Sequence, residues 1–407
     1  MVDAEHSRER SARAQLLLPV YVPTAMLAFG QGLLLPTLPA YARSFHVSFA
    51  LASLAIAAAA IGTLLADLPA GLVLGRLGLR PTMLLGAGLA AVATAAAGSA
   101  HVFPELIAYR LVEGVGWSMW GLSRHAFITE SIDPRQRGRA ISVFGGLNRI
   151  GLFAGPAVGG LVGAAAGLRA SFFVASGLSV VALVICAIFV SDTRVVVHAD
   201  RRLRWELVRA MLVANRRDLS AASVAQTFAQ LIRAGRQAII PFFGQAVLGL
   251  NVAQIGAIQS ASSTVDMLLF VPAGYIMDRF GRKVTSVPSF AVMALGMACI
   301  PFTHSYLTLM GAAVIIGFGN GLGSGAMMTL GADLAPRGAT GEFLGLWHLI
   351  GDAGSAGGPL AVGWLTDSVG FDGASFALAG VGVAASLTLA LLVRETRLAA
   401  LPTAQSP

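Results

Sequence analysis

Charged side chains are scarce in this sequence. Of its 407 residues, 12% are Asp, Glu, Lys or Arg and 56% are hydrophobic, whereas soluble proteins carry about 25% charged residues. So few polar side chains cannot cover the surface of a water-soluble globule of this length. The composition therefore excludes an ordinary soluble protein and predicts an all-α integral membrane protein, because a backbone in lipid must satisfy its own hydrogen bonds.

Cysteine and enzyme motifs are also lacking. Cys186 and Cys299 lie in apolar runs, which excludes a disulfide framework and a metal site with the usual ligand spacing. The sequence contains no GxxxxGK[ST] loop, no GxSxG elbow and no HExxH helix. We therefore expect neither an enzyme nor a metal or other cofactor. The polar N-terminus precedes an apolar stretch that is too long for a signal peptide, so we expect it to remain as the first helix.

Apolar runs of the length that crosses a bilayer, about 20 residues, occur twelve times. They cover 16–38, 48–74, 82–100, 104–126, 140–166, 170–191, 219–247, 254–277, 285–303, 306–331, 342–366 and 374–393. Short alternating runs of the kind found in β-barrels are not visible. The sequence therefore predicts twelve transmembrane helices.

Basic residues concentrate on one side of these spans. The tails and every second loop contain 21 of the 28 lysines and arginines, while the opposite loops contain Arg43 and Arg169. This asymmetry predicts a multi-pass cell-membrane protein with both termini in the cytoplasm, and it explains the net charge of +8 without a nucleic-acid partner. We interpret the arginines of the longest loop as an orientation signal that also contacts lipid headgroups. The predicted organisation is a tail at 1–15, a six-helix bundle at 16–191, a linker at 192–218, a second bundle at 219–394 and a tail at 395–407.

The two halves repeat at an offset of 203 residues. LPAG at 68–71 matches VPAG at 271–274, and GLVLGRLGLR at 71–80 matches GYIMDRFGRK at 274–283. Two pseudo-symmetric six-helix bundles form a known transporter architecture.

The stretch GYIMDRFGRK resembles the loop signature between the eighth and ninth helices of the major facilitator superfamily. Its first-half copy departs from the family pattern, since Gly75 stands at the acidic position and Leu79 at a basic one. Arg110, followed by Gly114 and Gly116, is similar to the family's fourth-helix arginine motif. The resemblance covers nearly the whole chain and implies the major facilitator fold.

The fifth span contains GLFAGPAVGG at 151–160. This stretch resembles the fifth-helix motif of the family's antiporters, especially proton-driven drug exporters. Small residues at four-residue spacing let another helix approach closely, and a proline can kink a helix. Plain packing is the alternative for any single glycine. The residues predicted to act in conformational change are Gly71, Arg76, Gly151, Gly155, Pro156, Gly159, Gly160, Gly274, Asp278, Arg279, Gly281 and Arg282.

One face of the fourth span carries Arg110, Glu113, Trp117, Trp120 and Arg124, spaced three or four residues apart. In the family's fold, helices 1, 4, 7 and 10 line the central cavity, and polar side chains there require a wet or protein interior. The predicted cavity residues are Gln31, Arg110, Glu113, Trp117, Trp120, Arg124, Gln226, Gln230, Arg233, Arg236, Gln237 and Asn320.

Each of these assignments has an alternative. Arg110 and Glu113 can form a static ion pair, the tryptophans can pack or lie at the membrane interface, and the glutamines can bridge helices. Asp266 can pair with an arginine of the seventh span or with Arg149.

Acids at membrane depth are candidates for carrying a coupling proton. The candidates are Glu113, Asp67, Asp266 and Asp352, with His348 one turn before the last. The family's fold places the second and eleventh helices together, so Asp67 and Asp352 are predicted to share a proton. The alternative is that these acids only fix helix packing. The helix-1 acids that some proton-driven exporters use are absent.

The sequence thus predicts a monomeric secondary transporter that exchanges protons for a small organic or lipophilic compound by alternating access. A transporter of an anionic organic substrate, by exchange, symport or uniport, is the second hypothesis. A non-transporting receptor or assembly protein on the same fold is the third. The expected partners are the small-molecule substrate, protons and membrane lipids.

Overall fold

A computed structural model describes residues 17–131, 137–190, 216–336 and 340–396, and these residues are almost entirely helical. The helices are Val22–Arg43 (α1, preceded by a π-helical turn at Leu17–Tyr21), Phe49–Leu77 (α2), Leu79–Gly98 (α3), Phe103–Ser131 (α4), Arg137–Ala166 (α5), Leu168–Phe189 (α6), Arg216–Ala246 (α7), Val252–Phe280 (α8), Arg282–Cys299 (α9), Tyr306–Leu322 with its continuation Ala326–Leu334 (α10), and Thr340–Leu391. The predicted tails, and most of the linker at 192–218, lie outside the described residues.

The last of these helices is broken at Gly370, where φ is 77°. Glycine adopts this left-handed conformation without a steric penalty. The break divides Thr340–Leu391 into a limb at 340–369 (α11) and a limb at 371–391 (α12). The loop expected between 366 and 374 is therefore a single residue, and the described residues contain the twelve helices that the sequence predicts.

Eight helical segments of the described chain are long and apolar enough to cross a membrane, α11 and α12 being counted as one. Three other long helices, α4, α7 and α8, are not apolar enough to be counted with these eight. These are helices on which the sequence places charged or amide side chains at membrane depth. Their polar faces must therefore lie against protein or water rather than lipid.

The chain forms two compact units. Unit 1 takes in residues 17–47, 54–190 and 251–260, and unit 2 takes in 48–53, 216–250 and 261–396, apart from the undescribed segments. The first turns of α2 thus belong with the second unit, and those of α8 belong with the first.

The offset of 203 residues recurs in the helix packing of the two units. In unit 1, a methyl group added at Gly116 on α4 would lie 2.6 Å from the Ala90 nitrogen on α3. In unit 2, a methyl group at Gly319 on α10 would lie 2.6 Å from the Met293 nitrogen on α9. Both residues of the second contact are 203 positions after those of the first. The repeat therefore extends to the same backbone contact in both units.

The core of unit 1 lies where α1, α3, α4 and α6 meet. Its buried side chains include Val20, Leu27, Leu79, Met83, Trp120 and Cys186. Cys186 is a packing residue, as the sequence predicts.

Candidate substrate and proton-coupling site

The predicted polar face of α4 begins with a buried ion pair. An Arg110 nitrogen lies 2.6 Å from a Glu113 carboxylate oxygen, and Trp117 Nε1 donates to the other oxygen at 3.3 Å. Arg110 Nε also donates to the Ala55 carbonyl of α2 at 3.3 Å. Glu113 is only 2% exposed. Its charge is compensated by Arg110 on the same helix, at the contact of α4 with α2, as a buried carboxylate requires.

Further along α4, Trp120 is 1% exposed and belongs to the apolar cluster of unit 1. Its ring lies 5.9 Å from the half-buried guanidinium of Arg124, at cation–π distance. Trp117 is half-buried and packs against the same cluster. Trp120 thus occupies a core position rather than a water-facing one, whereas Trp117 keeps an exposed edge.

Asp67 differs from Glu113 in its surroundings. The half-buried Asp67 carboxylate on α2 accepts a hydrogen bond of 2.5 Å from the Ser118 hydroxyl on α4. Within the described residues of unit 1, no basic side chain lies within 4.0 Å of this carboxylate. Asp67 is therefore an acid at membrane depth held by a neutral donor.

In unit 2, Asp266 on α8 lies among three polar side chains of two other helices. Asn320 Nδ2 of α10 and the hydroxyl of Ser324, in the turn that interrupts α10, donate to its two carboxylate oxygens at 2.7 and 3.2 Å. An Arg236 nitrogen of α7 lies 3.9 Å from the carboxylate. Of the two pairings that the sequence leaves open for Asp266, this contact corresponds to the one with an arginine of the seventh helix, Arg236.

Arg233, the other arginine of α7, donates to the Gly323 carbonyl at 3.0 Å and lies 5.2 Å from the Phe290 ring centre. Gly323 stands in the turn that interrupts α10, and a helix end leaves carbonyl groups without intrahelical partners. The break in α10 therefore supplies an acceptor for a charge inside the bundle. Sequence reasoning missed this break, although GLGSG at 321–325 is a glycine-rich signal for it.

The glutamines of α7 face α11. A methyl group at Gly351 would lie 2.7 Å from Gln226 Nε2, and one at Gly354 would lie 3.1 Å from Gln230 Cβ. Gln226 is buried and Gln230 half-buried. This placement favours the bridging role for these two amides. Gln31 and Gln237 are half-buried in units 1 and 2.

The remaining coupling candidates lie on α11. Asp352 is half-buried and His348, one turn earlier, is exposed. Asp352 belongs to unit 2 and Asp67 to unit 1. The proton sharing between these two acids stays a prediction.

Glycines of the fifth-helix motif lie against two neighbouring helices. Methyl groups at Gly151, Gly155 and Gly159 would each lie 2.6 Å or less from a backbone atom of α1. A methyl group at Gly160 would lie 2.6 Å from the Val252 carbonyl oxygen, in the first turn of α8. Close backbone packing therefore explains these glycines. In contrast, Gly71 and Gly274 of the loop signature have no atom within 4 Å of an added methyl group.

The charged loop signature in unit 2 has a partner that the sequence does not reveal. Arg282 Nε donates to Asp333 at the end of α10 at 2.8 Å, whereas the Asp278 oxygen lies 4.0 Å from an Arg282 nitrogen. Asp278 is largely exposed and Arg279 donates to the Tyr275 hydroxyl. Arg282 therefore has Asp333 rather than Asp278 as its nearer carboxylate.

Glu395, which follows α12, caps the start of α9. Its carboxylate accepts the backbone N–H groups of Arg282 at 2.9 Å and Lys283 at 3.0 Å, and an acid at a helix N-terminus is favourable. Gly281, with φ of 111°, leads the chain into this helix. The repeat contains a signal for this contact, since VRETR at 393–397 follows VSDTR at 190–194 by 203 residues.

An internal six-span repeat and charged side chains inside helical bundles are typical of the class of membrane transporters. The family model of the Major Facilitator Superfamily matches residues 22–232 and 226–406. The chain belongs to this superfamily, and it is a membrane transporter rather than an enzyme.

Among its relatives, the multidrug resistance protein MdtL of Klebsiella pneumoniae (strain 342) is 23% identical over 95% of this chain and 97% of that protein. The class C tetracycline resistance protein of Escherichia coli is 25% identical over 82% of this chain and 85% of that protein. The crystal structure of a D-xylose-proton symporter matches the fold with a TM-score of 0.75 and 16% identity, over 93% of this chain and 98% of that chain.

Proposed function

We propose that this protein is a proton-coupled antiporter that exports a small organic or lipophilic compound by alternating access. The names of the relatives, a multidrug resistance protein and a tetracycline resistance protein, support export. The sequence of the fifth-helix motif also supports it, because these residues resemble the motif of the family's antiporters.

The environment of Asp67 is the observation that carries the proton coupling. Glu113 lies 2.6 Å from an arginine nitrogen and Asp266 lies 3.9 Å from one. Asp67 has instead a hydroxyl donor at 2.5 Å. An ionised carboxylate in a low-dielectric interior is costly unless a cation compensates it. Among these three acids, Asp67 is therefore the one whose carboxylate lacks a compensating cation within the described part of unit 1, and we place it ahead of Glu113 and Asp266 as the candidate proton carrier.

The experiment uses purified protein in liposomes with a proton gradient and an internal pH indicator. Lipophilic cations, neutral drugs and organic anions are offered in turn. Asp67→Asn should abolish proton-driven exchange. Substrate counterflow, measured without a proton gradient, should remain, because substrate binding and alternating access do not need the lost proton site. Asp67→Glu, which restores the acid, should retain part of the coupling.

The same assay on Glu113→Gln, Asp266→Asn and Asp352→Asn tests the ranking. Loss of coupling in one of these variants but not in Asp67→Asn would assign the proton to another acid. If all four variants exchange substrate for protons normally, the coupling proposal fails.

Transport of an anionic substrate is favoured by one observation in unit 2, where Arg236 lies beside Asp266 and a second arginine, Arg233, lies one turn earlier on the same helix. A proton on Asp266 would weaken its hold on Arg236 and leave that arginine to an anion. Proton and anion would then bind together and move in the same direction. Acidification of the liposomes along with anion uptake would favour this second function over antiport.

A further inference from the structure

A cavity of about 590 Å³ opens at one end of unit 2, where the start of α7 meets the end of α12 and the start of α9. Its lining residues are Ser220, Ala221, Val224, Lys283, Thr388, Leu391, Leu392, Val393 and Arg394. Among the described residues, the lining thus contains two cations and two hydroxyl side chains and no acid. Its volume is within the range of small-molecule sites, roughly 300–1,000 Å³.

The two cations come from different helices. The Lys283 ammonium donates to the Ala390 carbonyl at 2.6 Å, near the end of α12. An ammonium has three donors, so this contact leaves Lys283 able to bind an anion as well. Arg394 lies three residues after the end of α12 and is exposed. The two side chains place positive charge on both sides of one opening.

The rim of the cavity is apolar and faces outward. Leu391 is 75% exposed and Leu392 is 56% exposed, and Val224 on the α7 side is also exposed. These residues stand at the ends of predicted spans, where the hydrocarbon core meets the headgroup region. A ligand that satisfies both parts of the site has an anionic head and apolar chains.

The equivalent place in unit 1 shows that this chemistry is not imposed by the fold. Arg80 donates to the Ala187 carbonyl at 2.7 Å there, as Lys283 does to Ala390. At five of the other eight positions, 203 residues earlier, the first half has Leu17 for Ser220, Tyr21 for Val224, Ile185 for Thr388, Phe189 for Leu392 and Ser191 for Arg394. Tyr21 is 7% exposed and belongs to the apolar core. The lysine contact is therefore shared architecture, whereas the second cation and the hydroxyls are specific to the second half.

We propose that this cavity binds an anionic glycerophospholipid, with the phosphate between Lys283 and Arg394 and an acyl chain along Leu391 and Leu392. Basic pockets between membrane helices bind lipid headgroups of this kind. A bound lipid would join the beginning of α7 to the ends of α9 and α12 within unit 2.

The test measures lipid binding to the purified full-length protein by native mass spectrometry. Phosphatidylglycerol and phosphatidylcholine with identical acyl chains compete at equal concentration. We expect the anionic lipid to be preferred by about tenfold or more, and Arg394→Gln to lower the preference about fivefold, since each basic residue near the surface contributes about that factor. Arg279→Gln removes a charge four residues before Lys283, outside the cavity lining, and should leave the preference unchanged.

A second variant tests the cavity without changing its charge. Val224→Tyr with Leu392→Phe introduces the two aromatic residues of the first half and should fill the space, so that phosphatidylglycerol binding falls to the level of phosphatidylcholine. If either the Arg394→Gln variant or the double variant fails to fold, the other still tests whether the cavity binds the anionic lipid.

Two outcomes would overturn the proposal. An equal loss in Arg279→Gln and Arg394→Gln would show diffuse surface attraction rather than a site. Displacement of the lipid by glycerol 3-phosphate at equal concentration would assign the cavity to a soluble organophosphate, since the acyl chains would then contribute nothing.

Discussion

Arg80 and Lys283 make the same contact in the two halves of the chain. Each is the second residue of its helix and donates to a carbonyl near the end of a helix 107 positions later, at 2.7 Å to Ala187 and 2.6 Å to Ala390. A cation at a helix C-terminus is favourable because it meets carbonyl groups that lack intrahelical partners. The contact therefore fastens the last helix of each six-helix repeat to its third helix.

Removal of this contact should destabilise the unit that contains it. Arg80→Gln loses a charge-assisted hydrogen bond, which we expect to cost about 1–2 kcal/mol, and to lower the thermal unfolding midpoint in detergent. Lys283→Arg should be neutral, because arginine serves the same function in unit 1. Arg76→Gln, at an exposed position four residues earlier, is the matched control. Equal midpoints for Arg80→Gln and Arg76→Gln would contradict the assignment.

The fifth-helix motif can be tested by adding one methyl group at two glycines of α5. Gly159→Ala would place Cβ 2.5 Å from the Leu33 Cα atom of α1, whereas Gly146→Ala has no atom within 4 Å. Forcing two backbones apart costs about 1–3 kcal/mol. We expect Gly159→Ala to lower the yield of folded protein and the unfolding midpoint, and Gly146→Ala to leave both unchanged or slightly raised, because alanine favours a helix over glycine. The same loss in both variants would mean that the glycines serve helix flexibility rather than packing.

The number of helices and the position of the polar faces follow from the sequence, because hydrophobic length and the 3.6-residue period are local properties. Arg110 and Glu113 are neighbours on one helix face, so their pairing was open to prediction. The hydrogen bond from Ser118 to Asp67 and the cap that Glu395 forms on α9 could not be predicted from the sequence. The first depends on how α2 and α4 are aligned, and the second joins residues 112 and 113 positions apart. Contacts of this kind are set by helix packing, which the period of a single helix does not specify.

The orientation of the chain stays a prediction from its arginines, and labelling can test it. In a background with Cys186→Ala and Cys299→Ala, Ser99→Cys places a thiol at an exposed position between α3 and α4. Ser406→Cys places one in the C-terminal tail. If both termini are cytoplasmic, a membrane-impermeant maleimide added to intact cells should label the first variant alone. Labelling of the second variant alone would invert the topology and move the basic loops to the outside.

Variants of the Arg110–Glu113 pair distinguish a purely structural role of this ion pair from a role in proton coupling. Glu113→Gln leaves a buried guanidinium without its nearest counter-charge, and removal of one partner of a buried pair costs about 3–5 kcal/mol. Arg110→Gln with Glu113→Gln removes both charges and should recover most of that loss in unfolding experiments.

If the pair is only structural, the double variant should also recover proton-driven exchange, since Asp67 is unchanged. A double variant that is stable but unable to exchange protons would instead place Glu113 on the proton route. In that case the short distance of 2.6 Å to Arg110 would mark the ionised state of a group that takes up a proton during transport, and Asp67 would no longer rank ahead of Glu113.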